Sequence, residues 1–217
     1  DIPIDGGFVG MVDRDVFDDW LRVRAQANGA VRMTGSVVAL DRDPDGITVV
    51  QVRTGTRAGA STGAPTGSPG EEQPLQRIRA RAVIGADGAV STVARLAMPY
   101  ARPKCVFAYH EVIRSPIACS TAAPAPGNDH FEASRCDVIY KGDTSPDFYC
   151  WVFPHGATTS VGTGSAQKGF SLKTAVAKIR AENGLDKAET LRREGAPIPL
   201  KPLARWDNGR DIVLAAH

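Results

Sequence analysis

The stretch RAVIGADGAVSTVARLA, residues 81–97, limits the fold more than any other part of the chain. A strand through Val83 and Ile84 runs into the turn Gly85-Ala86-Asp87-Gly88 and then into a short helix, so the hydrophobic spacing changes from that of a strand to that of a helix within one turn. Strand, glycine turn and helix in that order belong to a sheet with helices packed on it, and the fold class is α/β with α+β character. The small side chains have two uses. They serve close helix–strand packing, or they let backbone N–H groups and a helix N-terminus approach a pyrophosphate while Asp87 accepts a ribose or ribityl hydroxyl. From these residues alone both readings stand.

Upstream, VDRDVFDDWLRVRAQANGA places Val16, Phe17, Trp20, Leu21, Val23 and Ala27 at roughly helical spacing before an Asn28-Gly29 stop, which predicts a helix from about Arg14 to Gln26. Arg14 at its start is either a solvated first-turn arginine or a group that recognises phosphate or ribityl oxygens. SVVALDRDPDGITVVQV reads as a β-hairpin turning at Asp43-Pro44-Asp45-Gly46. From Thr54 to Pro74 the composition collapses to Gly, Ala, Ser, Thr and Pro, too little to bury against the entropy of ordering, and it reads as a flexible loop insertion. Beyond Pro99 come short apolar strands near Cys105 to Ile113, Cys136 to Tyr140, Tyr149 to Phe153 and Thr159 to Gly164. A helix from about Leu172 to Glu182, capped by Ser171, and a buried strand in DIVLAAH complete the pattern. The expected domains are residues 1–99 (with 54–74 inserted), an antiparallel-sheet domain at 100–205, and a strand at 206–217 returning to the first.

Charge excludes one class of partner. With 26 basic and 24 acidic residues and a net charge of +2, the chain has no electrostatic footprint for nucleic acid. No uninterrupted apolar run is long enough to span a bilayer. Cys105, Cys119, Cys136 and Cys150 form no C-x-x-C pair and have no histidine at ligand spacing, so free thiols in a reducing cytoplasm and no metal are expected. Asp1-Ile2-Pro3 opens without an initiator methionine, signal peptide or transit peptide, and the sequence reads as an excerpt of a longer one.

The stretch DFYCWVFPHGATTSVGTG, residues 147–164, gathers aromatics in a chain where they make up only 6%. Alternation sets Tyr149, Trp151 and Phe153 on one face of a strand, which suits a core or a ligand wall equally. Gly162 and Gly164 then remove side chains from one face of the next strand, where a flat ring or an alkyl chain can lie against the backbone.

Together, VDRDVFDDWLRVRAQANGA, VIGADGAVSTVAR, and Tyr149-Cys150-Trp151-Val152-Phe153-Pro154 followed after seven residues by Gly162-Thr163-Gly164 resemble the geranylgeranyl reductases, FAD flavoproteins of the p-hydroxybenzoate-hydroxylase fold. The resemblance continues through REGAPIPLKPLARWDNGRDIVLA, covers nearly the whole chain outside the insertion, and is closest to the chlorophyll and bacteriochlorophyll branch. It implies a partial FAD-binding, Rossmann-like domain and a mainly antiparallel substrate domain. Arg14, Val38, Ala86, Asp87 and Gly88 would contact FAD. Tyr149, Trp151, Phe153, Pro154, Gly162 and Gly164 would line the prenyl site. The sequence departs from the family pattern in lacking the Gly-x-Gly-x-x-Gly loop and in reading Ala216-His217 where the family has Gly-Asp.

The implied reaction is saturation of isolated double bonds in a geranylgeranyl chain, free as diphosphate or esterified to a chlorophyllide, with NADPH recharging the flavin. An isolated alkene offers no carbonyl to receive electrons, so protonation accompanies or precedes hydride addition. The cation-like tertiary carbon is one that aromatic faces stabilise and a dry pocket protects. Tyr149 and His155 are candidate proton donors by chemical type, and no spacing selects either. A cytoplasmic protein is expected, with peripheral attachment to a photosynthetic membrane through the substrate as the alternative. The competing readings are an aromatic monooxygenase of the same fold and an inactive isoprenoid-binding fragment lacking a complete FAD site.

Overall fold

The computed structural model describes residues 10–54, 74–100, 102–116 and 131–215. Most of the Thr54–Pro74 insertion, Cys119, the opening residues and Ala216-His217 lie outside them. Along the chain run α1 (Arg14–Ala27), β1 (Gly35–Arg42), β2 (Thr48–Thr54), β3 (Leu75–Ala80), β4 (Val83–Gly85), α2 (Thr92–Ala97), β5 (Cys105–Arg114), β6 (Asp137–Ile139), β7 (Cys150–His155), β8 (Thr158–Ser165), α3 (Leu172–Glu182), β9 (Thr190–Pro199) and β10 (Ile212–Leu214). They form two compact units, one holding Val12–Pro103 with Lys201–His217, the other Lys104–Leu200.

In the first unit β1, β2 and β3 make an antiparallel sheet, and β4 pairs in parallel with β10. The β1–β2 hairpin turns where the sequence predicts. Gly46 takes φ 78°, and the Asp43 carboxylate accepts from the backbone N–H of Asp45 and of Ile47. β3 is not foreseen as a separate strand, because LQRIRA carries too few apolar residues to announce one. It forms because Thr54 donates to the Pro74 carbonyl from both its backbone and its hydroxyl, closing the two ends of the insertion into a hairpin base. The apolar stripe of α1 stays exposed: none of its residues is buried, and Trp20 stacks on Phe17 with Arg24 over its ring.

The second unit is a five-stranded antiparallel sheet in the order β6-β7-β8-β5-β9. α3 packs on one face, held at its start by the Ser171 side chain, which accepts from Thr174 N–H. Ile113, Cys150, Val152 and Val161 from the sheet meet Val176 and Ile179 from α3. Glu111 on β5 ties this face together, accepting from Arg180 of α3, Tyr109 and Arg193 of β9. Burial pushes its carboxyl up, but these donors outweigh burial and hold it below the ordinary value. β9 escapes the sequence reading because TLRREGAPIP is charged and carries Pro197 and Pro199. It is an edge strand, paired to β5 alone, where prolines are tolerated.

One electrostatic tie closes the first unit. Asp211, just before β10, accepts from Arg42 of β1, from the Thr48 hydroxyl of β2 at 2.6 Å and from Asn208. Its carboxyl is held far below the ordinary range, first by Arg42 and then by Thr48. A carboxyl depressed in the folded state adds stability at neutral pH that is lost as pH falls through and below its unfolded value of about 4. Thermal melts of wild type and Asp211→Asn are therefore expected to show a less stable variant at pH 7 and a gap that narrows below about pH 4. A constant gap down to pH 2 would remove the carboxylate's role.

Candidate functional site

Strand alternation divides the larger sheet cleanly. Cys150 and Val152 join the core under α3, so Tyr149, Trp151 and Phe153 take the opposite face. The three rings run as a row, with centroids 5.9 Å apart from Tyr149 to Trp151 and 6.3 Å from Trp151 to Phe153, and Phe148 stacks on Tyr149 at 4.2 Å. Pro154 is the exception among the expected lining residues. The same alternation turns it, with Cys150 and Val152, toward the α3 face, and it is buried there.

The glycines of β8 explain how the row lies. Gly162 pairs with Trp151 on one side and with His110 on the other. A Cβ on Gly162 would sit inside contact distance of Trp151 Cζ2 and Cε2 and 2.6 Å from His110 Cβ. One on Gly164 would lie 2.8 Å from the ring of Phe148. The flat groups laid on the glycine backbone are thus the protein's own rings, Trp151 on Gly162 and Phe148 on Gly164. Trp151 is 9% exposed.

Three neighbours of the row escape the sequence reading. Trp151 Nε1 donates to Ser160 Oγ at 3.0 Å, Ser160 Oγ is 2.9 Å from His110 Nδ1, and His110 Nε2 is 3.0 Å from Glu194 Oε2. These residues are 34 to 84 positions apart in pairs across strands, with Trp151–Ser160 at 9, and only strand register brings them together. Of the two candidate acids, Tyr149 is held in the aromatic stack and His155 ends β7.

In the first unit, the expected flavin residues fall at separate places. Ala86, Asp87 and Gly88 form the turn from β4 into α2. Gly85 allows the close approach, since a Cβ there would lie 2.9 Å from both Leu214 and Val93. Gly88 has φ 83° and open space around it. The Asp87 carboxylate accepts from Ser91 Oγ and from the N–H groups of Thr92 and Val93, so it builds the start of α2. Burial pushes its pKa up, but those donors win and lower it. Its own backbone N–H is a fourth donor, so the acceptor positions of the carboxylate serve the turn itself. A cleft of about 290 Å³ adjoins the turn, lined in part by Ala89, Val90, Ser91 and Arg95. An exposed glycine backbone beside an arginine-walled cleft fits the phosphates of a flavin nucleotide. Val38 sits at a β-bulge, opposing no residue of β2, a feature common beside binding sites. Arg14 is exposed and paired to Asp18 at 2.9 Å, the geometry of a surface helix arginine.

The chain is similar to proteins of known name. The chain is 48% identical over 215 residues to the geranylgeranyl diphosphate reductase of Rhodobacter capsulatus, across 99% of this chain and 48% of that protein. To the Synechocystis geranylgeranyl diphosphate reductase it is 32% identical over 212 residues, 95% of this chain and 47% of the relative. The chain belongs to the geranylgeranyl reductase family. It spans about half the length of the curated relatives it matches. A crystal structure of a geranylgeranyl bacteriochlorophyll reductase-like protein from Thermoplasma acidophilum superposes with a TM-score of 0.69 at 20% identity, over 93% of this chain and 46% of that one. An aklavinone-11 hydroxylase solved with FAD and aklavinone gives 0.60 at 16% identity, over 95% of this chain and 36% of that one, a likeness of fold. No family model matches the chain.

For this reductase-family sheet, Gly162→Ala is the sharpest test of the packing. A methyl group must displace a rigid indole or the strand beneath it, at a cost of about 1–3 kcal/mol. The expected outcome is a lower melting temperature with an altered tryptophan signal in near-UV circular dichroism. A variant as stable as wild type with the same spectrum would mean that Trp151 does not lie on this backbone.

Proposed function

We propose that the chain carries the flavin turn and the prenyl wall of an FAD-dependent reductase that saturates isolated double bonds of a geranylgeranyl chain, as diphosphate or pigment ester, with NADPH as the source of electrons. The observation that carries this reading is the row Tyr149, Trp151, Phe153 on the sheet face away from α3, with Trp151 laid over Gly162. Similarity to named geranylgeranyl diphosphate reductases supports it.

A reduced flavin, when bound, supplies hydride. The chain's own residues do the rest of the work assigned here. Ala86, Asp87 and Gly88 would hold the nucleotide through the open backbone of a turn that the Asp87 carboxylate braces, with Val38 and Arg14 as further contacts. Tyr149, Trp151 and Phe153 offer π-faces to the tertiary carbon on which positive charge develops, a gain that grows as water is excluded. They also fix which part of a long flexible chain stands at the reacting position, where small displacements cost large factors in rate. Among the described residues no helix is long and apolar enough to cross a membrane. In this reading a pigment-bound substrate is reached by peripheral contact at a photosynthetic membrane, and a free diphosphate from the cytoplasm.

The test is chromatography of products from the full-length, flavin-loaded protein given geranylgeranyl diphosphate or geranylgeranylated pigment, for wild type and Trp151→Phe. Phenylalanine keeps an aromatic face but reshapes the wall. The expected outcome is complete reduction by wild type and accumulation of partly saturated chains by the variant at unchanged flavin content. Absence of any reduced prenyl product from wild type, or an oxygen-dependent hydroxylated product instead, would overturn the reading.

A further inference from the structure

We infer that His110 and Ser160 are positioning residues that lock the Trp151 indole in place as the prenyl wall, with Glu194 as their anchor; this rests on the prenyl-reductase reading. The four side chains lie on one face because their strands are in register: Trp151 pairs with Gly162, Gly162 with His110, and His110 with Glu194, across β7, β8, β5 and β9. Gly162 contributes no side chain, so the gap in this row is filled by the indole itself, whose ring centroid stands 6.2 Å from that of His110.

Donor and acceptor chemistry fixes the direction of the chain of hydrogen bonds. The indole Nε1 can only donate, and it donates to Ser160 Oγ. A carboxylate can only accept, so His110 Nε2, 3.0 Å from Glu194 Oε2, carries a hydrogen. In the neutral ring Nδ1 is then the acceptor, and the Ser160 hydroxyl donates to it. With the ring neutral the order is Trp151 to Ser160 to His110, and His110 to Glu194; a protonated ring donates to both Ser160 and Glu194 and holds the same partners. Glu194 is itself held on its other oxygen by Arg192 at 2.8 Å. Trp151 therefore has a hydrogen-bonded partner on its polar edge, glycine backbone under one face, and an outer face free of rotational choice. None of these groups belongs to the α3 core, where Glu111 and Arg180 perform the structural tie.

The same chemistry names the conservative replacement. A glutamine at 110 has a carbonyl oxygen to accept from Ser160 and an NH₂ to donate to Glu194, the same polarity as the neutral imidazole without its capacity to carry a transferable proton. A positioning role survives His110→Gln and is lost in His110→Ala and Ser160→Ala.

Two readouts test this. In the chain with Trp20→Phe and Trp206→Phe, Trp151 is the single tryptophan, excited selectively over the tyrosines. Acrylamide quenching is expected to rise and emission to shift to longer wavelength in H110A and S160A, and to stay near the parent in H110Q. In the full-length flavin-loaded protein, H110A and S160A are expected to lose about ten- to a hundredfold in kcat/KM for geranylgeranyl reduction and to release partly saturated products, with H110Q close to wild type. Should H110A fail to fold, S160A, which deletes a single hydroxyl, carries both measurements. Unchanged quenching in H110A and S160A would overturn the inference. Loss of activity in H110Q equal to that in H110A, with quenching intact, would overturn it too and make His110 an acid. If wild type reduces no prenyl substrate while the quenching pattern holds, the functional reading fails and the lock on Trp151 stands.

Discussion

An indole lying flat on a glycine is the contact on which the rest of the candidate site depends. A sheet face normally presents a side chain at every second residue, and a large ring stands roughly upright between its neighbours. Removing the side chain at Gly162 lets Trp151 lean across β8 until it reaches the His110 side of the sheet. That geometry turns the indole edge toward Ser160 and leaves Tyr149 and Phe153 to extend the ring surface along the strand. Glycine in a strand interior weakens pairing. Here the loss is offset by close packing of aromatic rings that occupy the space a Cβ would take.

The two faces of this sheet divide labour. The face under α3 is a core of aliphatic side chains closed by the Glu111 and Arg180 pair, and it holds the sheet flat against a helix. The other face carries aromatics and a chain of polar groups ending on the edge strand β9. Stability comes from the first and shape from the second. A site assembled on strands locked from behind keeps its geometry better than one built on loops, which suits a pocket that must fix one double bond of a flexible chain. In the other unit the Asp87 carboxylate holds the turn from β4 into the start of α2.

Much of this was legible in the sequence, and the limits were physical. Helical period and caps located α1 and α3, and the Pro-Asp-Gly turn located the first hairpin. Alternation alone placed Tyr149, Trp151 and Phe153 on one face, and the family resemblance rested on that stretch. The same alternation, applied one residue further, already argued against grouping Pro154 with them. β3 and β9 were hidden because edge strands made of charged residues and prolines lack the apolar pattern that marks a strand. His110, Ser160 and Glu194 were hidden for a different reason. Their meeting depends on the register of β5 with β8 and β9, and pairings between distant strands leave no local signal.

The proposed function requires a prenyl chain to lie along the aromatic face of the five-stranded sheet. Photolabelling of the full-length flavin-loaded protein with a benzophenone-bearing geranylgeranyl diphosphate analogue, followed by mass spectrometry of the peptides, tests it directly. The expected result is labelling concentrated on the peptide 147–164, at Tyr149, Trp151 or Phe153, and competed away by unlabelled geranylgeranyl diphosphate. Competed labelling confined to α3, or to peptides outside the sheet, would contradict it.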